Sequence, residues 1–198
     1  MKKRLLLIVI YMAFISLGLP DSLLGAAWPS MFKTLNVPIH FAGIISMIVA
    51  SGTVISSLFS ARLIQRFGVA TITTISVFLT ALALLGFAHS ENFIFICFLA
   101  IPLGLGAGCV DVALNNYVAL HFRAIHMNWL HCFWGVGAAI GPILMARYLA
   151  MGQAWTQGYS MVGWFKWAWS LYCYCHFHYG SENRKIKMTT TIQNLSYL

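Results

Sequence analysis

Charge is what this chain has least of: 4 Asp and Glu and 12 Lys and Arg among 198 residues, 8% in all. Soluble domains carry roughly a quarter charged residues. Too little polar surface is available to face water on all sides, which excludes a soluble globule. Basic clusters are confined to the termini, Lys2–Arg4 and Arg184–Lys187. Between them the cations stand singly among apolar runs despite a net charge of +8, whereas a nucleic-acid surface needs them gathered on one face with aromatics between. Cysteine is present but not as a framework. The five residues Cys97, Cys109, Cys132, Cys173 and Cys175 are odd in number and lie inside apolar runs, three of them in the first five, so they read as small apolar side chains rather than disulfide partners. No nucleophile with a base at working distance is evident, which argues against an enzyme and against a cofactor. "CYCHFH" (173–178) supplies thiolates and imidazoles, but not at the spacing of a standard zinc site, and no metal is expected.

Long apolar runs are abundant. Hydrophobic residues make up 60% of the chain, and the mean hydropathy is +0.80. A membrane helix needs about 20 apolar residues to cross roughly 30 Å of hydrocarbon. Six stretches meet that need, at 5–30, 39–61, 69–88, 93–118, 128–150 and 158–178. Breaks between them carry turn chemistry or charge: "FKTLNVP" (32–38), "RLIQRFG" (62–68), "AHSEN" (88–92) and "HFRAIHM" (121–127). The fold class is therefore all-α, a polytopic membrane bundle of about six helices embedded in a lipid bilayer. The start "MKKRLLLIVIYMAFISLGLP" has the basic head of a secretory signal, yet its apolar run continues to about Trp28 without a small-residue cleavage site. It is expected to be retained as the first helix. Placing the N-terminus in the cytoplasm puts Lys2, Lys3, Arg4, Arg62, Arg66, Arg123, Arg184, Lys185 and Lys187 on the inner side and leaves Lys33 and Arg147 outside. That bias is the one cytoplasmic loops show, and a bacterial-type plasma membrane suits it.

Two carboxylates fall inside the spans. Asp21 lies in "LGLPDSLLGAAWPSM" (17–31) and Asp111 in "GCVDVALNNYVALHF" (108–122). A charge at mid-membrane costs about 2.5–3.5 kcal/mol on insertion scales, so each should face the bundle interior or a wet cavity. Gly104, Gly108, Asp111 and Asn115 recur at i, i+4, i+7 and i+11, and Gly18, Asp21, Gly25 and Trp28 follow similar spacing. Both acids thus sit on glycine-lined stripes, where neighbouring helices approach closely. One reading is structural, with each Asp hydrogen-bonding an adjacent helix. The other is functional: a carboxyl that takes up a proton and releases it when water arrives, as proton-coupled transport requires. Asp111 is the expected proton carrier with Asp21 assisting, and Asn115 and Asn116 are candidate solute contacts beside it. The fifth stretch, "NWLHCFWGVGAAIGPILM" (128–145), places His131, Gly135, Ala138 and Pro142 on one stripe with Trp134 adjacent. His131 is a candidate proton or hydrogen-bond donor; Trp134 and Trp28 are candidate surfaces for a solute ring.

These motifs resemble the amino-terminal half of a major facilitator superfamily transporter, most closely the fucose permease group, over roughly residues 5–156. "ARLIQRFG" (61–68) resembles that family's Gly-x-x-x-Asp-Arg-x-Gly loop, with Arg66 and Gly68 in place but Ala61 and Gln65 departing from it. "GVGAAIGP" (135–142) is similar to the Gly-Pro element of the fifth helix. "PDSLLG" (20–25) resembles the permeases' Asn-Asp-x-Leu-Leu-Pro, and "DVALNNY" (111–117) their Glu-Thr-Ala-Ala-Asn-Pro-Tyr. The resemblance implies half of a major facilitator fold, a gating loop at Arg66 and Gly68, a sugar-linked and proton-linked acid at Asp21, and a coupling acid at Asp111. It also implies that the first and fourth helices are equivalents lining the central cavity. Uptake of a sugar or small polar solute with protons is the function it suggests. Efflux of drugs or metabolites, or a non-transporting membrane protein, are the alternatives.

The chain divides into residues 1–157, holding helices one to five, a questionable sixth helix at 158–180, and a polar tail at 181–198 expected to be disordered. From about Met161 the sequence accumulates Trp, Tyr, Cys and His, with Lys166 among them. This change suggests a shifted or truncated reading frame, and a missing second half or a second copy as partner.

Overall fold

The computed structural model describes the backbone of residues 2–195 and the side chains of residues 4–175. The described chain is all helix apart from its connections. The helices are α1 (Lys2–Asp21), α2 (Leu23–Thr34), α3 (Ala42–Phe67), α4 (Val69–Ala88), α5 (Phe93–His121), α6 (Ala124–Ala150) and α7 (Trp155–Leu195), with a single 3-10 turn at Ile39–Phe41 before α3. Among the described residues five stretches are long and apolar enough to cross a membrane: Arg4–Thr34, Ile39–Phe67, Val69–Ala88, Phe93–His121 and Ala124–Ala150. The first unites α1 and α2. The expected sixth stretch, 158–178, lies within α7, which is helical but is not among the five. The polar tail expected at 181–198 and the histidines of the 173–178 run fall outside the described side chains.

Large apolar residues cover the outside. Leu58, Met47 and Leu120 are each more than 70% exposed, a surface that suits acyl chains. The interior contains two main apolar clusters. One joins Leu23, Trp28 and Met31 of α2 to Ile45, Phe87, Ile96, Trp155 and Tyr159. The other joins Ile10, Phe14 and Leu17 of α1 to Val77, Val110, Leu114 and Leu130. Lipid tails are as apolar as leucine, so burying these groups gives little drive in a bilayer, and close backbone packing must hold the helices together.

Glycine supplies that packing. α1 lies on α6, α3 on α5, and α4 on both α5 and α7. A Cβ on Gly18 would collide with the Trp134 carbonyl, and on Gly137 or Gly141 with the carbonyls of Ile15 and Leu19. Across the α3–α5 contact, Gly104 and Gly108 meet the Val49 and Thr53 carbonyls in the same way. Thr53 adds a hydrogen bond of 3.3 Å to the Gly104 carbonyl. The glycine stripes are thus packing seams at Gly18, Gly104 and Gly108, and each acid follows three residues after the last of these tight contacts on its helix.

The breaks follow local chemistry. Pro20 has no N–H to donate to the Ser16 carbonyl, and the helix yields two residues on at Ser22, so the first span, expected as one stretch at 5–30, is broken into α1 and α2. α2 ends on Asn36, whose φ of 53° lets the Val37 N–H turn back onto the Phe32 carbonyl at 3.1 Å. Asn92 caps α5, its side chain accepting from the Ile94 N–H at 2.8 Å. The expected breaks at 62–68 and 121–127 shrink to Gly68 alone and to Phe122–Arg123. Gly68 takes φ +82°, a conformation only glycine adopts without strain, and so turns α3 into α4 in one residue.

Candidate functional site

The break at Ser22 leaves Asp21 at the end of α1, where it borders open space. That space is a cavity of about 560 Å³. Pro20, Asp21, Leu24 and Gly25 of the first span form one wall; Ile45, Ser46 and Val49 of α3, Thr80 and Phe87 of α4, Leu103 and Ala107 of α5, and Tyr159 and Lys166 of α7 form the rest. Most of this lining is apolar. Its polar groups are few and concentrated around Asp21 and α7.

One oxygen of Asp21 accepts a hydrogen bond of 2.8 Å from the Trp134 indole N–H. This contact joins the first span to α6 directly above the seam where Gly18 meets the Trp134 backbone, so the close approach of the helices brings the indole within reach. Lys166 stands across the cavity within electrostatic range of Asp21, and so does Asp111. Asp111 itself is half-buried on α5 and lies outside the cavity lining. It accepts from the Asn115 amide at 2.9 Å, the i, i+4 partner that the stripe spacing predicts, and it also senses the His131 side chain. Two acids, a lysine and a histidine from four helices therefore share one electrostatic neighbourhood.

The remaining expected residues divide. His131 is exposed on α6, its ring edge-on to Phe14 with centroids 6.3 Å apart. Asn116 is exposed on α5 next to Asn115. Trp28 is buried in the core, 5% exposed, and its indole donates to the Ile39 carbonyl, tying α2 to the turn before α3. Arg66 lies at the surface, its guanidinium 5.5 Å from the Phe67 ring centroid, beside the Gly68 turn. A further link at the same end of the bundle joins the Tyr11 hydroxyl to His126 at 2.8 Å.

Sequence reasoning passed over Tyr159 and Lys166. It counted Lys166 against a sixth helix. In the structure Lys166 is 2% and Tyr159 1% exposed, both on the α7 face that packs into the bundle. The signal was present: Tyr159, Gly163, Lys166, Ser170 and Cys173 recur at i, i+4, i+7, i+11 and i+14, and all five are buried. Gly163 seats α7 against Leu85, and Ser170 donates to the Thr74 carbonyl at 3.2 Å.

Such a bundle can hold a small solute between the kinked first span and its neighbours, and can carry a proton on either acid. No curated protein matches the chain. The family model described as Major Facilitator Superfamily matches residues 9–174, from the first span into α7; the chain therefore belongs to the major facilitator superfamily, an integral membrane family of transporters.

Proposed function

We propose that the chain is the amino-terminal six-helix half of a proton-coupled uptake transporter for a sugar or small polar solute, similar to the fucose permease group. In this reading residues 1–157 supply helices one to five and 158–180 the sixth, with the N-terminus in the cytoplasm. The observation that carries the reading is Asp21 at the kink of the first span, facing a solute-sized cavity and hydrogen-bonded to Trp134 of α6. A kinked span beside a cavity is how transporters of this kind expose polar groups at membrane depth. Asp111 is the coupling acid and Asp21 its partner; Asn115 and His131 support Asp111, and Trp134 holds Asp21 in place. Asn116 and Trp28 are solute contacts only if helix movement brings them inward. Arg66 and Gly68 form the cytoplasmic turn that resembles the gating loop. Alternating access requires a second six-helix body to rock against this one, supplied by a carboxy-terminal half or a second copy.

The test is uptake of labelled L-fucose and related small solutes into vesicles carrying the full chain, alone and with a carboxy-terminal half supplied, under an inward proton gradient. Asp111→Asn is the decisive variant. Asparagine still accepts the Asn115 hydrogen bond, so the helix contact survives, but it cannot carry a proton. Accumulation against a gradient is expected to vanish while exchange of solute down its gradient persists. Undiminished proton-driven accumulation by Asp111→Asn would remove Asp111 from the coupling role.

A further inference from the structure

The cavity beside Asp21 has donors without acceptors. Lys166 is almost fully buried, yet its ammonium makes no hydrogen bond to any described residue. Its one evident partner is Asp21, felt across the cavity, and Asp21 takes its hydrogen bond from Trp134 instead. The Tyr159 hydroxyl, one side of the same space, is buried with no hydrogen-bond partner. An ammonium carries three donors and no acceptor, and a buried donor left without a partner, as the Tyr159 hydroxyl is, is destabilising. What the space lacks is an acceptor, preferably an anionic one.

We propose that this cavity takes a small monocarboxylate, its carboxylate received by Lys166 with Tyr159 as second donor and its body lying against the apolar wall of Leu24, Ile45, Val49 and Leu103. The proposal rests on the solute-uptake reading above and narrows the solute within it. Tyr159 and Lys166 sit at i and i+7 of α7, two turns apart on the face that lines the cavity, so a carboxylate lying between them can meet both donors. A single lysine, with no arginine in the lining, suits one negative charge; a dianion would be left half-compensated beside Asp21. Ser46 and Thr80 can serve hydroxyls on the body of the solute, while the apolar majority of the wall rewards carbon.

Charge balance ties this site to the proton. Empty, Lys166 faces the Asp21 carboxylate. A carboxylate entering between them brings a second negative charge into a poorly solvated space, and a proton on Asp21 restores neutrality. The other titratable groups around Asp21 are Asp111 on α5, His131 on α6 and Tyr159 on α7; α3 and α4 contribute only the Ser46 and Thr80 hydroxyls to the lining. Solute and proton then load together because either one alone leaves the site charged.

The experiment uses the purified full chain in detergent, with binding read by tryptophan fluorescence and thermal melting against two matched pairs: gluconate with glucose, and phenylacetate with phenylethanol. Within at least one pair the carboxylate is expected to bind saturably and the neutral compound far more weakly. Lys166→Gln should weaken carboxylate binding by about tenfold or more through loss of a charge-assisted hydrogen bond. Tyr159→Phe, which keeps the packing of the ring, should weaken it by about fivefold and decides the matter should Lys166→Gln fail to fold. Equal binding of both members of each pair, no carboxylate binding, or unchanged affinity in Tyr159→Phe overturns the proposal. Proton-driven uptake of a neutral sugar that survives Lys166→Gln would also overturn it while leaving the uptake reading intact. Carboxylate binding without proton-driven uptake of any solute would do the reverse.

Discussion

Trp134 does two things for one carboxylate: its backbone receives Gly18 and its indole donates to Asp21. Replacing it with Phe keeps the seam and removes the donor. The expected loss of stability is about 1 kcal/mol, below the usual range for a hydrogen bond to a charged group because Asp21 faces the cavity and can be hydrated; chemical denaturation of the two proteins in the same detergent measures it. Uptake should fall further than stability if the indole orients the acid. At this scale the sequence was legible where a residue type is expensive in a membrane. Asp21 and Asp111 declared themselves because a carboxylate there needs a reason. Lys166 obeys the same rule and was passed over, because the aromatic composition around it drew attention away from its helical spacing. The Trp134–Asp21 bond was not legible at all, since it joins residues 113 apart and depends on how closely two backbones approach.

Helix pairs in this bundle are held by seams rather than by bulk. Widening one should therefore cost more than polar substitution elsewhere. Gly137→Val places a branched side chain against the Ile15 carbonyl, and overpacking of this kind costs typically about 1–3 kcal/mol; a lowered melting temperature would report it. Gly135, two residues away, has open space where its Cβ would lie, so Gly135→Ala should be nearly neutral in the same assay and serves as its control. Gly68→Ala forces φ +82° on a residue with a Cβ, a strain of about 1–3 kcal/mol confined to the α3–α4 turn. The spans themselves were readable from hydropathy because length and apolarity are local properties. Their ends were less so: charges at 62–66 and 121–127 suggested loops, but the helices run through most of both segments; Arg62 and Arg66 are good helix formers that reach the interface by their long stems, while Arg123 marks the short break itself. Pairing of α1 with α6 and α3 with α5 was foreshadowed by the glycine stripes, although a stripe cannot say which neighbour it meets.

For the molecule as a whole, the cation bias makes a topological prediction. With the N-terminus in the cytoplasm, the α3–α4 turn at Gly68 and the α5–α6 connection at Phe122–Arg123 lie inside, and the connections at Asn36 and Gly152 lie outside. In a chain whose native cysteines are replaced, Asn36→Cys and Gly152→Cys should react with a membrane-impermeant maleimide in intact cells, and Arg123→Cys only after lysis. The opposite labelling pattern would reverse the orientation and place Asp111 nearer the outer surface. The last helix adds a consequence for biogenesis. A segment centred on a lysine and poor in Leu, Ile and Val does not partition into lipid by itself; a central lysine alone costs about 2.5–3.5 kcal/mol on insertion. A membrane-spanning α7 would enter as a client of helices already threaded, with Leu85 and Thr74 of α4 offering the seat for Gly163 and the acceptor for Ser170. Synthesis order becomes part of the fold: α4 precedes α7 in the chain, so the seat is made before the segment that needs it.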